Sequence, residues 1–439
     1  MSEQATAGHS GHQGLSGLVA RTRPLDSDPD LLAVAGDDGV VFVHDRTGLA
    51  GVGVAARVAL PRSGGRADAD AAAVVLGAIG VDDTVALPGS GPVALGALPF
   101  TPTAPAELVV PRIVVGRADD GTRWVTTIAT ADDEPSTAEV DAVVARGLAG
   151  AVGFARDAGL TPADEGPATY ELRSERSPAD WCEAVAETTR RIQAGEARKV
   201  VLARAVDVVT DRPLRAGAVL GQLRRSYPAS HLFSVDGFVG ATPELLVARS
   251  GDRVRAHPMA GTAPRSGDPS TDARLAAALL ASTNTRDEHR HTIDMVHDTL
   301  LPWCSYLDEE AEPSIVAMAN VQHLATRLEG KLSSPAASVL ELVTALHPTP
   351  AVGGAPREVA LAMIDELEQL DRGRYAGPVG WVDAAGNGTW AVGIRSAELD
   401  GTTARVFAGV GVVADSEPAS ELAETRAKMQ AVLGALVRP

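Results

Sequence analysis

Residues 198–209, RKVVLARAVDVV, carry Val or Leu at 200, 201, 202, 206, 208 and 209, so the run is apolar on both faces of a pleat and reads as a strand covered on both sides. Lys199 enters that strand. On its N-terminal side, Ser177 and Pro178 form a cap and first-turn pair, and Trp181, Val185 and Ile192 recur at helical spacing up to Gly195. On its C-terminal side HLFSV (231–235) and FVGATPELLVA (238–248) read as further strands, with Glu244 set between Pro243 and a Leu-Leu pair. RVRAHPMAGTAPR (253–265) reads as a strand ending in a Gly261-Thr262 turn. DARLAAALLAST (272–283) and RDEHRHTIDMVHDTLL (286–301) are helices, and on the second Glu288, Thr292 and Met295 share a face. GPVGWVDAAGNGTWAVGIRSAEL (377–399) is a hairpin turning near Asn387-Gly388 with Arg395 in the return strand. ARVFAGVGVVADS (404–416) is a last strand, feeding a helix that carries Glu421, Glu424 and Lys428.

The remainder of the chain is less informative. Residues 16–165 alternate short Val/Ala/Leu runs with Gly, Pro and Asp breakers, which predicts several strands, mostly antiparallel, and one or two helices in a β-rich half that shares one core with the rest. Residues 1–15 read as a disordered tail that is neither signal peptide nor anchor, and 157–178 as a connector. With 439 residues, 45% of them hydrophobic, the chain can bury a large core. Its formal net charge of -18 argues against a nucleic-acid or anionic-membrane partner, since phosphates would be repelled. Cys182 and Cys304, the two cysteines, are too few for a disulfide framework or a thiolate metal site and suit a reducing cytoplasm.

Lys199, Glu244, Glu288, Arg395 and Glu424 are single charges among apolar or Gly-rich neighbours, and such groups are costly unless paired, liganded or used. Together they predict one shared site. Taken singly, Lys199 reads as a strand-end lysine snorkelling to water, Glu244 as a turn cap, Arg395 as half of a structural ion pair, and Glu424 with Lys428 as an exposed i,i+4 pair. His289, His291 and His297 lack the H-E-x-x-H spacing of a zinc hydrolase, and His289 and His291 point to different faces of their helix.

KVVLAR, FVGATPELL, MAGT, RDEH, VQHLAT, LHPTPAVGG, GIRSAEL and FAGVGVVADSEPASELAETRAK resemble, in order, the signature segments of the chorismate-utilising enzymes, over residues 175–435. That resemblance implies an α+β fold with large, mostly antiparallel sheets packed as a sandwich and helices outside. It also implies chorismate as substrate and Mg2+ as cofactor, with Glu288 and Glu424 as ligands and Glu421, one turn earlier, facing the same ion. Chorismate carries two carboxylates, so the site needs local positive charge within an acidic protein. Arg395, the backbone amides around Gly409 and Gly411, and the cation would supply it, with the Gly261-Thr262 turn as a further substrate contact; His347 of LHPTP reads equally as a substrate contact or as a residue packed in its turn.

Two positions bear on the nucleophile. Relatives that add ammonia resemble this chain with Gln in place of Lys199, and those that make aminodeoxychorismate place Lys where this chain has Ala260. Lys199 with Ala260 therefore resembles the water-adding branch, whose product is isochorismate. Desolvation by Val200, Val201 and Leu202 would leave Lys199 a neutral base for water attacking ring carbon C2, while Glu244, flanked by Pro243 and Leu245, would hold a proton for the departing C4 hydroxyl. Salicylate synthases use the same residues and then expel pyruvate; Ala325 in VQHLAT looks more like the isochorismate branch. Ala263 stands where the family commonly has Arg, which predicts tuning and not loss. A glutaminase-dependent anthranilate synthase-type subunit and a non-catalytic chorismate-binding protein are the other readings. The first would need an ammonia-supplying partner, which Lys199 argues against. The second would lack the acid, base or metal ligands, none of which is missing. The pathways implied are menaquinone or siderophore biosynthesis.

Overall fold

The computed structural model describes residues 17–155, 167–318 and 321–437, so the tail at 1–15 and residues 157–166 of the connector lie outside the described residues. The fold is α+β. Strands assemble into a 13-stranded sheet, a nine-stranded sheet and a small sheet of three, antiparallel throughout except where Val19–Pro24 runs parallel to Gly80–Asp83.

Pleat alternation sorts the core into layers. Val40, Phe42, Phe233 and Phe238 of the large sheet meet Leu95, Val379, Trp381 and Ala391 of the nine-stranded sheet in the space between them. Their neighbours Val41, Val43, Leu232 and Val239 face outward, under Leu220 and Leu223 of the helix Ala216–Ser226 and Val432 and Leu436 of the helix Pro418–Val437. On the far side of the nine-stranded sheet, Leu340 and Val343 of the helix Val339–Leu346 cover Val247 and Val254. The result is a sandwich with helices outside. Strands from both halves of the sequence interleave in it: His231–Val235 pairs with Val40–His44, and Pro378–Asp383 pairs with Val93–Ala97.

The strand foreseen at 198–209 spans Lys199–Thr210 and pairs with Thr403–Val412, Val200 opposite Val412 through Val209 opposite Thr403. Its first seven residues are all buried, as expected for a strand covered on both faces. The preceding helix is Pro178–Gln193, capped by Ser177 Oγ accepting from Asp180 N at 3.1 Å, and Trp181 Nε1 donates to Ala203 O at 3.1 Å. Along part of its other edge the strand is held by side chains: Glu368 accepts from Ala203 N at 2.7 Å, and Arg372 donates to Val201 O at 2.7 Å. These two residues are themselves ion-paired at 2.6 Å and almost wholly buried. Removing one partner of such a pair leaves an uncompensated charge in the interior. Glu368→Ala is therefore expected to cost about 3–5 kcal/mol in urea unfolding; a loss under about 1 kcal/mol would show that the pair does not anchor the strand.

Some expected elements differ. FVGATPELLVA is two strands in two sheets, Phe238–Thr242 in the large one and Leu245–Ser250 in the nine-stranded one, because Pro243 cannot continue a ladder. RVRAHPMAGTAPR divides likewise at Pro258, into Arg253–His257 and Met259–Pro264, the latter in the three-stranded sheet. Residues 16–165 hold three α-helices among the described residues, Leu31–Ala35, Gly65–Gly77 and Thr137–Ala155, where one or two were expected; the Ala-rich runs of the last two have little periodicity to betray them. No helix among the described residues is long and apolar enough to cross a membrane.

Candidate active site

The crossing at Pro243 delivers Glu244 to a cavity of about 400 Å³, walled by strands of the large and the three-stranded sheets and by the helices Thr283–Leu300 and Pro418–Val437. Lys199, Glu244, Gly261, Thr262, Glu288, Arg395, Gly409, Gly411, Glu421 and Glu424 all line it. Of the candidate residues, only His347 is absent.

Glu244 is 4% exposed, and burial pushes its carboxyl up to about 7 against the opposing pull of Lys199 and Arg395. It is thus poised to hold a proton near neutrality. Lys199, as first residue of its strand, reaches the cavity with its stem packed against Gly411. A Cβ at 411 would lie 2.4 Å from Lys199 Cε and 3.1 Å from Nζ, so glycine there makes room for the lysine. The expected isolation of the amine among apolar residues is not what the structure has: Nζ is ion-paired with Glu288 Oε1 at 2.7 Å. The helix Thr283–Leu300 brings that carboxylate across the cavity from a distant part of the chain, which no local apolar pattern around Lys199 could reveal.

Arg395 sits between the strands Gly388–Val392 and Ser396–Asp400, not within the return strand as expected, and its φ of 52° marks a backbone kink that turns the side chain inward. It is 6% exposed and its Nε has no partner. Its Nη2 lies 3.4 Å from His323 Nε2, and His323 Nδ1 lies 3.0 Å from Thr262 Oγ1. Burial and the adjacent Arg395 hold His323 down to about 3, so the ring is neutral; with Nε2 accepting from arginine, Nδ1–H donates to the threonine. Thr262 therefore orients the arginine through a histidine. Gly261, with φ 81°, lets this turn pass Thr285, whose Cγ2 would be 2.4 Å from a Cβ.

Three carboxylates, Glu288, Glu421 and Glu424, share the cavity wall. Burial, then Glu424 and Glu288 as like charges, push the Glu421 carboxyl up, which places the three within electrostatic reach. Glu288 and Glu424 turn toward ammonium groups, the second meeting Lys428 Nζ at 2.6 Å, and among the described residues no three His, Cys, Asp or Glu side chains already converge as a metal cluster. The oxygen-only donor set fits a hard cation once the lysines are exchanged for it.

His347 is a correction. Its Nε2 donates to Phe100 O at 2.8 Å at the end of the helix Val339–Leu346, and burial drives its basicity down to about 3; it packs in the turn and does not reach the cavity. Gly409 and Gly411 were expected to offer amides to substrate, but what they visibly provide is space, Gly409 for the Tyr375 hydroxyl and Gly411 for Lys199. His289 is bonded to Thr326 Oγ1 at 2.8 Å.

Lys428, Arg372 and Tyr375 also line the cavity, without having been proposed for it. Lys428 donates to Gly409 O at 2.9 Å, and Tyr375 stacks on Phe407 with ring centroids 5.0 Å apart. Lys428 was visible only as an i,i+4 partner of Glu424. Arg372 and Tyr375 lie in DRGRYAG, a segment with no periodicity. Of the cationic groups around the cavity, Lys199, Lys428 and Arg372 are ion-paired with Glu288, Glu424 and Glu368, while Arg395 has no carboxylate partner among the described residues.

Gly411→Ala is expected to displace the Lys199 head by a few tenths of an ångström or more and to lower turnover about 100-fold with little change in melting temperature. Wild-type turnover in that variant would mean the lysine has other room.

A family model described as "Chorismate binding enzyme" matches residues 37–437. The chain is 39% identical over 363 residues to a Mycobacterium tuberculosis (strain ATCC 25618 / H37Rv) MenF protein, covering 79% of this chain and 87% of that one. It is 34% identical over 347 residues to the isochorismate synthase EntC of Escherichia coli (strain K12), covering 78% and 80%. The structure of MenF, the menaquinone-specific isochorismate synthase from Escherichia coli, superposes with a TM-score of 0.76 over 96% of this chain and 95% of that one, at 23% identity, which speaks to the fold. The match spans every wall of the cavity, and the chain accordingly belongs to the chorismate-binding enzyme family.

Proposed function

We propose that this protein is an isochorismate synthase, converting chorismate to isochorismate by adding water at C2 and releasing the C4 hydroxyl. The observation that carries the reading is a carboxyl of elevated basicity, Glu244, facing the same cavity as a lysine at 199 and an arginine at 395. Relatives named as isochorismate synthases support it.

In this reading Arg395, fixed through His323, receives a substrate carboxylate. Glu288, Glu421 and Glu424 would hold Mg2+, which would supply positive charge for the other substrate carboxylate. Lys199, whose Nζ lies inside the cavity 2.7 Å from Glu288 Oε1, is the base. Lys199 takes a proton from the water that attacks C2, and Glu244 gives its proton to the C4 oxygen as that bond breaks. Charge balances, since one group gains the proton that the other gives up. The acid and base restore each other in the reverse reaction.

Incubating the purified protein with chorismate and magnesium and identifying the product by chromatography tests the assignment. Isochorismate without salicylate or pyruvate is expected. Salicylate with pyruvate would make it a salicylate synthase, and activity only with added ammonium would place it with the anthranilate synthases. Glu288→Ala should weaken magnesium binding by about 10- to 100-fold in a direct titration. An unchanged magnesium affinity would remove Glu288 from the ligand set.

A further inference from the structure

Among the described residues nothing before Lys199 lines the cavity, yet the first half of the chain reaches to within one side chain of it. Phe100, just past the strand Val93–Ala97, is 6% exposed, and its ring covers the Arg372 guanidinium with the centroid 4.0 Å from Cζ. Arg372 is a wall residue. Its Nη2 donates to Val201 O at 2.7 Å and its Nη1 to Val352 O at 2.9 Å, while Nε and Nη2 each donate to the Glu368 carboxylate at 2.6 Å. Val201 and Val352 line the cavity as well. One planar group therefore ties the strand that begins at Lys199 to the segment 349–355, which also pairs with it through Val201 N to Gly353 O at 2.9 Å and Arg198 N to Ala355 O at 2.8 Å. Lys199 stands two positions before Val201, on the same face of the strand, so a shift at this join carries to the amine.

Phe100 is itself held from both sides of the join. Its N donates to Gly373 O at 2.8 Å, beside Arg372, and its O accepts from His347 Nε2 at 2.8 Å, just before the segment 349–355. The His347 ring meets the Phe100 ring edge-on, with centroids 5.8 Å apart. Filling space would be served by any apolar side chain, and Glu368 already balances the charge of Arg372. What an aromatic face adds is a flat, electron-rich surface against a flat cation, which resists tilting of the guanidinium out of the plane in which its edge donors point.

We propose that Phe100 is a positioning residue for the reaction: acting through Arg372, it fixes the Lys199 strand against the segment 349–355. The role rests on the isochorismate synthase reading, in which Lys199 is the base.

Steady-state kinetics of Phe100→Leu, Arg372→Lys and the double variant, run on chorismate with magnesium at a temperature where all three are folded, test this. Leucine keeps most of the apolar volume and loses the aromatic face; kcat is expected to fall about tenfold with KM within about threefold, since Arg395 and the three carboxylates are untouched. In the Arg372→Lys background, where no planar fork remains to be held, the same change is expected to cost less than about threefold. Hydrogen–deuterium exchange of the full-length protein adds a readout that needs no turnover. Peptides covering 199–203 and 349–355 are expected to exchange at least about fivefold faster in Phe100→Leu, and a peptide covering 205–210, farther along the same strand, at the wild-type rate. A kcat within about threefold of wild type, equal losses in the two backgrounds, or exchange that is unchanged or faster everywhere overturns the proposal. Exchange alone decides if Arg372→Lys fails to fold or if the wild-type protein leaves chorismate unchanged; the latter result defeats the isochorismate synthase reading and leaves the hold of Phe100 on the strand to be judged by its peptides.

Discussion

Lys199→Ala is expected to lower turnover of chorismate by about 10³- to 10⁴-fold, while chorismate in the presence of magnesium still binds. The lysine sits at the start of a strand otherwise held by its ladder with Thr403–Val412 and by the Glu368–Arg372 pair, so removing the side chain leaves the backbone in place. The group left behind is Glu288, partly open to solvent and able to recruit water or a cation when its 2.7 Å partner is gone. Melting temperature should therefore move little. Product formation by chromatography and chorismate binding by calorimetry read the two effects separately; turnover within about threefold of wild type would remove Lys199 as the base.

Glu244→Gln is expected to cost about 10²- to 10⁴-fold in turnover and to reshape two pH dependences. A general acid must carry its proton, and this carboxyl releases it near 7, so kcat/KM of the wild type should fall as pH rises through that value. The residual activity of the glutamine variant should lack that limb. Stability follows from the same displacement. Between the ordinary 4.5 and about 7 the folded protein retains a proton that the unfolded chain has lost, so stability declines with rising pH across that window and is lowest above it. The full excursion is about 3 kcal/mol. Urea unfolding at pH 5 and pH 8 should show the decline in wild type and a smaller one in Glu244→Gln. Equal slopes would mean Glu244 ionises normally and cannot serve as the acid.

How far the sequence could be read depended on how local the cause was. The Lys199 strand was legible because burial on both faces writes itself into its first seven residues. Ser177, Trp181 and Ile192 announced their helix for a similar reason. The sheet changes at Pro243 and Pro258 were not legible, since proline marks a break in a ladder without saying which sheet resumes the chain. Charges in apolar surroundings led to Lys199, Glu244, Glu288, Arg395 and Glu424, and resemblance to a family gave them roles. Neither could show that Glu288 would pair with Lys199, because 89 residues separate them. His347 misled, as a histidine in a proline-bounded turn looks the same whether it meets a ligand or a backbone carbonyl. Arg372 and Tyr375 act through long-range packing and leave no period to detect.

The interleaving of early and late strands has a consequence for how such a protein could be taken apart. A fragment beginning near residue 175 would keep Lys199, Glu244 and all three carboxylates, yet the strands His231–Val235 and Pro378–Asp383 would each lose a neighbour that the first half provides. Two raw edges, one per layer, would then be open to any passing polypeptide. Residues 17–155 place no side chain in the cavity wall, and still the reaction could not be inherited, transplanted or minimised without them.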